Sequence, residues 1–342
     1  MPQKIIGITA IANQNYQLIK EAGIEWLRTW FAFPFKDKVH GEYSPEFLRC
    51  LENARELSAK GFKHLGTTMG PGSYRYDENT KATIWKSGLP EWAGNFESNE
   101  YYEVLETACA EMAAKTADFV HFWQIANEPD IDIFRGPLSD DQIVRFLLSA
   151  ARGVKKGNPY AKPGINIGFI TEYSEWLMKE IYCIPDSPFE YIGIDGYFGS
   201  WQPGGPEDWK WYIDKVYEIT GKPVIINEWG YSSLQSSPKT DDPDNKKYYN
   251  QDVCRNKAWG IVWKKEHSPE EQAEYIWKCM KIFAEHPHVI GQFFFRWTDT
   301  PTCWQCGQPN CPAECAWGIV DVHGNPKPGY YALKEAIHKY FK

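Results

Sequence analysis

The chain has 342 residues, of which 43% are hydrophobic and 24% charged, an ordinary composition for a globular protein that buries a large core. Its formal net charge of −8 argues against nucleic acid or an anionic membrane as the main partner, since both are held by a basic surface. No run of about 18 apolar residues is present, so no transmembrane helix is expected.

Short apolar runs alternate with helical patterns from one end to the other, which is the mark of a parallel βα protein. The strands expected in chain order are Ile5–Thr9, Trp26–Trp30, His64–Met69, Phe119–Asn127, Ile165–Ile170, Tyr191–Phe198, Val224–Trp229 and Val289–Trp297. Ser44-Pro45 opens a helix with an N-cap and a first-turn proline; Phe47, Leu48, Leu51, Ala54 and Leu57 form its apolar face, and Gly61 ends it. Trp209–Thr220 forms another, closed by Gly221. Ser268 and Glu271 have capping-box spacing at the start of a third, and Tyr330–Tyr340 forms the last. Eight strands, each followed by helix, predict an α/β fold, a single (β/α)₈ (TIM) barrel domain over 1–342. An open doubly wound sheet fits less well, because the first strand lacks a Gly-rich phosphate turn. Three βα connections are long, Gly70–Ser98, Tyr231–His267 and Asp299–Gly324, following strands three, seven and eight. All three rise from the C-terminal face, where barrel active sites lie. The start, Met1-Pro2-Gln3-Lys4, has no apolar signal region, which fits either a cytoplasmic chain or a mature secreted form.

Strand four runs into Asn127-Glu128-Pro129-Asp130, and strand seven carries Asn227-Glu228-Trp229. A Glu at the end of an apolar strand is costly unless it meets a polar mouth or a partner. A single one is most often a salt-bridge residue, but two on strands that face each other across a barrel suit retaining glycoside hydrolysis. There, one carboxylic acid protonates the leaving oxygen while a carboxylate roughly 5–5.5 Å away attacks the anomeric carbon. Glu128 is the expected acid/base and Glu228 the expected nucleophile. Pro129 restricts Glu128 to extended geometry. Because Asn127 points away from Glu128 on an ideal strand, a bend is needed to bring both into the mouth.

These residues resemble the clan A glycoside hydrolases, the retaining (β/α)₈ group that includes cellulases, β-mannanases, β-xylosidases and β-galactosidases. Asn127-Glu128-Pro129 and Glu228 match that group's two marks. The resemblance implies that Arg28 orients the nucleophile, that Tyr197 hydrogen-bonds it, and that Trp297 floors the subsite of the cleaved sugar. Gly318-Ile319-Val320-Asp321 with Pro326-Lys327-Pro328-Gly329-Tyr330-Tyr331 is similar to the group's passage into the last helix. One departure stands out: where cellulase-like members carry His-x-Tyr on strand six, this chain has Asp195-Gly196-Tyr197. Asp195 is then either a sugar ligand or a partner of Arg28.

The 16 Trp, 20 Tyr and 18 Phe suit stacking on sugars, although rings also fill cores. Trp30, Phe31, Trp85, Trp92, Trp201, Trp229 and Trp304 sit at strand ends or in loops where they could line subsites. The expected substrate is therefore an oligo- or polysaccharide, attacked within a β-linked glucan, mannan or xylan. The alternatives are exo action, as by a β-galactosidase or β-xylosidase, a non-catalytic carbohydrate-binding barrel, and a metal-dependent hydrolase. No cofactor is expected for catalysis.

Cys303, Cys306, Cys311 and Cys315 have C-x₂-C-x₄-C-x₃-C spacing. They could clamp a structural zinc, form two disulfides in an oxidising compartment, or remain free thiols. Cys50, Cys109, Cys183, Cys254 and Cys279 read as isolated. His286-Pro287-His288 precedes strand eight, at the face opposite the expected mouth, and reads as packing.

Overall fold

The computed structural model describes residues 3–10, 14–235, 254 and 260–342. Much of the connection expected over Tyr231–His267 lies outside them. The strands are β1 (Ile5–Thr9), β2 (Trp26–Trp30), β3 (Lys63–Thr67), β4 (Gly72–Asp77), β5 (Ala82–Ser87), β6 (Val120–Gln124), β7 (Lys162–Gly164), β8 (Asn166–Ile167), β9 (Ile192–Gly196), β10 (Val224–Trp229) and β11 (Val289–Phe294). Nine of them pair in parallel in the order β7-β6-β3-β2-β1-β11-β10-β9-β8. The two ends of this sheet, β7 and β8, are separated in the chain only by Ile165, so together they make one broken fifth staff that closes the barrel. The strand expected over Ile165–Ile170 thus begins earlier, at Lys162, and ends at Ile167, with its pairing interrupted at Ile165. β4 and β5 form a separate antiparallel hairpin within the first long connection.

Helices cover the outside: α1 (Tyr16–Glu21), α2 (Pro45–Ala59), α3 (Asn99–Lys115), α4 (Asp132–Arg135), α5 (Asp140–Gly157), α6 (Glu172–Tyr182), α7 (Asp208–Thr220), α8 (Pro269–Glu285) and α9 (Pro328–Tyr340). The helix caps form, but Leu48 leaves the apolar face expected for α2 and only the Ser268 half of the expected capping box forms. The Ser44 hydroxyl accepts from Phe47 N at 3.2 Å, a cap typically contributing about 1 kcal/mol. Phe47, Leu51, Ala54 and Leu57 of α2 are buried against the sheet, while Leu48 is exposed. Gly221 closes α7 at φ +62°, a conformation that a residue with a Cβ rarely adopts. Ser268 caps Glu271 N at 3.1 Å.

Alternation sorts the strand residues into two cores. Ile5, Leu65, Tyr191, Ile225 and Phe293 point inward and fill the lower barrel with Trp26 and Phe122. Their neighbours Ile6, Leu27, Ile194, Ile226 and Phe294 point outward to the helices. Both faces of these strands are therefore apolar, as parallel barrel strands require. Above the inner apolar layer, the inward positions become polar: Arg28, Gln124, Asn166, Asp195 and Asn227 are all buried.

The last connection is tied down by Lys327, whose ammonium reaches Asp299 at 2.9 Å and the Ser233 hydroxyl at 2.7 Å, both charged partners being largely buried. Asp299 also accepts from Gly318 N at 2.7 Å. Lys327→Ala is expected to destabilise the protein by about 3–5 kcal/mol, because it leaves a buried carboxylate without its counter-ion. Urea denaturation checks this; a loss below 1 kcal/mol would mean that water already compensates the pair. At the opposite end of the barrel, His286 faces Asp214 at 3.3 Å and His288 stacks on Tyr217, a packing role for that His pair.

Candidate active site

Arg28 lies near the end of β2 and is buried. Its guanidinium is fixed on three sides: Nε donates to Gln124 Oε1 at 2.8 Å, Nη2 to Asn127 Oδ1 at 2.6 Å, and Nη1 to Glu228 Oε1. The Tyr197 hydroxyl, just beyond β9, donates to the other oxygen of Glu228 at 2.5 Å. Both oxygens of Glu228 therefore accept from strong donors, one of them a cation. Burial, and after it the Glu228 charge, push the Tyr197 hydroxyl well above the ordinary tyrosine range, so it stays a donor.

A β-bulge aims Glu228. Between the pairs Ile226–Gln292 and Trp229–Phe294, Asn227 and Glu228 stand opposite the single residue Phe293. Asn227 points inward and donates to Gln124 Oε1 at 2.8 Å, and Glu228 points inward to Arg28. Strict alternation would have placed one of the two among the helices.

Glu128 is reached by a bend, as the sequence required, but its backbone is not extended. Ala126 and Glu128 have φ of +60° and +41°, the left-handed region, despite Pro129. This corrects the expectation drawn from that proline. Three hydrogen bonds impose the turn: Ala126 N donates to Thr68 Oγ1 at 3.0 Å, Gln124 Nε2 to Ala126 O at 2.7 Å, and Glu128 N to Asn166 Oδ1 at 3.0 Å. Such strain concentrates at functional sites. A Cβ at Gly168 would sit 2.7 Å from Glu128 Oε1, so glycine is what leaves the carboxyl room.

The electrostatic setting of Glu128 contrasts with that of Glu228. It receives one hydrogen bond, from Asn127 Nδ2 at 3.2 Å. Burial raises its pKa well above the ordinary glutamate range; the charges of Glu228 and Asp130 add to this, and Arg28 opposes it. Asp130 is raised to about 6 by burial, although it accepts from Gly168 N and Phe169 N. A carboxyl biased toward its neutral form thus shares a cleft with a carboxylate held by an arginine and a tyrosine.

That cleft has a volume of about 370 Å³. Asn127, Glu128, Tyr197 and Glu228 line it, with rings from Phe169, Trp201, Phe295, Trp304 and Trp317. Trp304 is 55% exposed at the rim. Gln305 and Glu314 complete the wall; Gln305 Nε2 donates to Glu314 Oε1 at 2.5 Å, and burial pushes the Glu314 carboxyl up to about 8.

Several expected site residues lie elsewhere. Trp297 is buried beside Tyr330 of α9 and does not line the cleft; Phe295 and Trp317 do. β11 ends at Phe294, and beyond it the inside–outside alternation no longer holds. Trp229 is fully buried, donates to Gln292 Oε1 at 2.6 Å, and packs on Phe283 of α8, because the bulge turns it outward. Asp195 lies in the field of the Arg28 charge, the second of its two expected roles, without a direct ion pair to it. It is buried beneath the cleft and accepts from Asn166 Nδ2 at 2.6 Å, with burial raising its pKa well above the aspartate range. Trp30 stays at the mouth, its ring 5.0 Å from the Arg28 guanidinium carbon. Phe31 packs inside on Trp123, Trp85 on Tyr74 in the hairpin, and Trp92 on Phe33.

Gln124 and Asn166 escaped the sequence reading, although each is a polar side chain at an inward position of an apolar run. Asn166 joins Gln124, Asn127, Glu128 N and Asp195 in one network. The cysteine expectation also changes. Cys254, read as isolated, joins Cys303, Cys306 and Cys311, while Cys315 turns its thiol toward Gln308 O.

Comparison with solved structures places this geometry in a known architecture. The catalytic domain of an Ignisphaera aggregans GH53 protein aligns with a TM-score of 0.65 at 17% identity, covering 97% of this chain and 96% of that one. The fold is a (β/α)₈ barrel. A native xylanase 10B from Thermotoga maritima aligns at 0.62 and 17% identity over 98% and 95% of the two chains. A fungal β-1,4-galactanase aligns at 0.63 and 15% identity over 96% and 94%. No family model and no curated protein matches the sequence.

Proposed function

We propose that the protein is a retaining β-glycoside hydrolase that works by double displacement and cuts within a β-linked polysaccharide. The observation that carries the reading is the pair of glutamates lining one cleft in opposite electrostatic settings. Glu228, bound by Arg28 and Tyr197, is the nucleophile. Glu128, biased toward its protonated form, is the general acid.

In the first step, a Glu228 oxygen attacks the anomeric carbon as the glycosidic bond breaks, and the Glu128 proton passes to the leaving oxygen. Forming the ester removes the negative charge on Glu228, one of the two charges that raise the Glu128 pKa. Glu128, now a carboxylate, takes a proton from water, whose oxygen attacks the same carbon and releases Glu228. Two inversions leave the configuration retained. Rings at Phe169, Trp201 and Trp304 spread around the pair and supply stacking surfaces for more than one sugar, which supports internal cleavage.

The test is digestion of β-glucan, β-mannan, β-xylan and β-galactan together with aryl β-glycosides. Reducing ends should appear on a polymer faster than monosaccharide does. Monosaccharide as the sole early product would overturn internal cleavage, and inactivity on every β-glycoside would overturn the whole reading. Tyr197→Phe should lower kcat by about ten- to a hundredfold with little change in Tm, since a hydrogen bond to a charged group contributes about 1.5–3 kcal/mol. Unchanged kcat would remove Tyr197 from the reaction.

A further inference from the structure

We propose that Cys254, Cys303, Cys306 and Cys311 form a structural zinc site that fixes one wall of the cleft. Their four sulfurs all lie within 4.8 Å of one another, and all four residues are buried. With Zn–S bonds of about 2.3 Å, a tetrahedral tetrathiolate has S···S edges of about 3.8 Å. The Cys254 and Cys303 sulfurs are 3.7 Å apart. No cysteine is bridged, and four sulfurs in mutual contact suit one shared ion better than two separate pairs.

The backbone around the cluster has the form of a chelating loop. Cys303 and Cys306 have the C-x₂-C spacing of zinc sites. Gly307 follows at φ +72°, and its N–H donates to Cys303 O at 2.7 Å, folding the two sulfurs to one side. Cys303 N donates to Gln308 O at 3.0 Å, closing the loop from the other direction. Cys311 arrives after Pro309 and Asn310, and Cys254 comes from the connection after β10. The site therefore joins the connection that follows β10 to the one that follows β11.

The consequence for the cleft is direct. Trp304 and Gln305 stand between Cys303 and Cys306, and Ala313 and Glu314 follow Cys311; all four line the cleft beside Glu128 and Glu228. Tyr197, Trp201 and Phe295 pack against the cysteine cluster from the cleft side. Four protein ligands leave no open position on the ion, so its role is to hold this wall rather than to activate water. This proposal stands apart from the hydrolytic reading, because metal content is measured without substrate.

The experiment is metal analysis of the reduced, full-length protein, with variants. One zinc per chain is expected. After zinc removal, adding Co²⁺ should give the intense thiolate-to-metal charge-transfer bands and the d–d bands of a tetrahedral tetrathiolate. Cys254→Ser and Cys311→Ser should each lose the zinc, whereas Cys315→Ser should keep it. The wild-type apoprotein should unfold at a lower temperature and recover on adding zinc, which keeps the test valid if a variant fails to fold. Absence of zinc together with a featureless Co²⁺ spectrum would overturn the site, as would disulfides among these four cysteines in the active protein. Retention of zinc by Cys254→Ser with loss in Cys315→Ser would overturn this quartet in favour of the four cysteines clustered in the sequence.

Discussion

Glu228→Ala is expected to lower kcat/KM by on the order of 10⁴-fold or more, the scale on which removing a covalent nucleophile acts. The fold should survive, because the change leaves Arg28 anchored by Gln124 and Asn127 rather than isolated. In the wild-type protein, the first product seen by NMR should keep the β-configuration. Initial release of the α-anomer would mean that water attacks directly, and Glu228 would then be a base instead of a nucleophile. Full activity of Glu228→Ala would remove it from the reaction.

Glu128→Ala should divide substrates by leaving group. A poor leaving group needs the proton, so its kcat should fall by about 10²–10⁴-fold, the usual range for a positioned general acid. An activated aryl leaving group does not need it, and its glycosyl-enzyme should still form. The intermediate then accumulates, because no base remains to activate water. Azide needs no base, so it should restore turnover and yield a β-glycosyl azide. The pH profile gives an independent reading. The raised Glu128 pKa keeps the active, protonated form present to higher pH, and activity falls as pH rises through that value. The alkaline limb should therefore vanish in Glu128→Ala for aryl substrates. An unchanged limb together with no azide effect would assign the acid/base role to another group.

The pair of glutamates at the cleft was legible because it stands where two independent patterns meet. Periodicity placed strands four and seven, and each carries an Asn-Glu pair at or just beyond its carboxyl end. Arg28 and Tyr197 were legible in the same way, at the ends of staves that the apolar runs already marked. The supporting residues depended on register. Trp229 was expected at the mouth as a strand-end ring and Trp297 by resemblance to the clan, but the bulge at Asn227–Glu228 and the end of β11 at Phe294 decide where the two rings point. The structure turns both rings into the core and leaves Phe295 and Trp317 at the cleft. Asp195 was visible, but its partner, Asn166, lay inside the strand expected over Ile165–Ile170, and only the structure shows that it faces the cleft network.

From the amino-acid sequence alone followed the alternation of staves and helices, the caps at Ser44 and Ser268, and the glutamates at the mouth. These rest on local propensity and on burial periodicity, which each segment carries within itself. Only the tertiary structure decided which side of a strand end faces the cleft, and which four of nine cysteines meet. Those outcomes depend on a one-residue bulge, on left-handed turns at Ala126 and Glu128 held by Thr68 and Asn166, and on Cys254 returning from a distant connection. Each arises from a contact between segments far apart in the chain, and no local pattern records it.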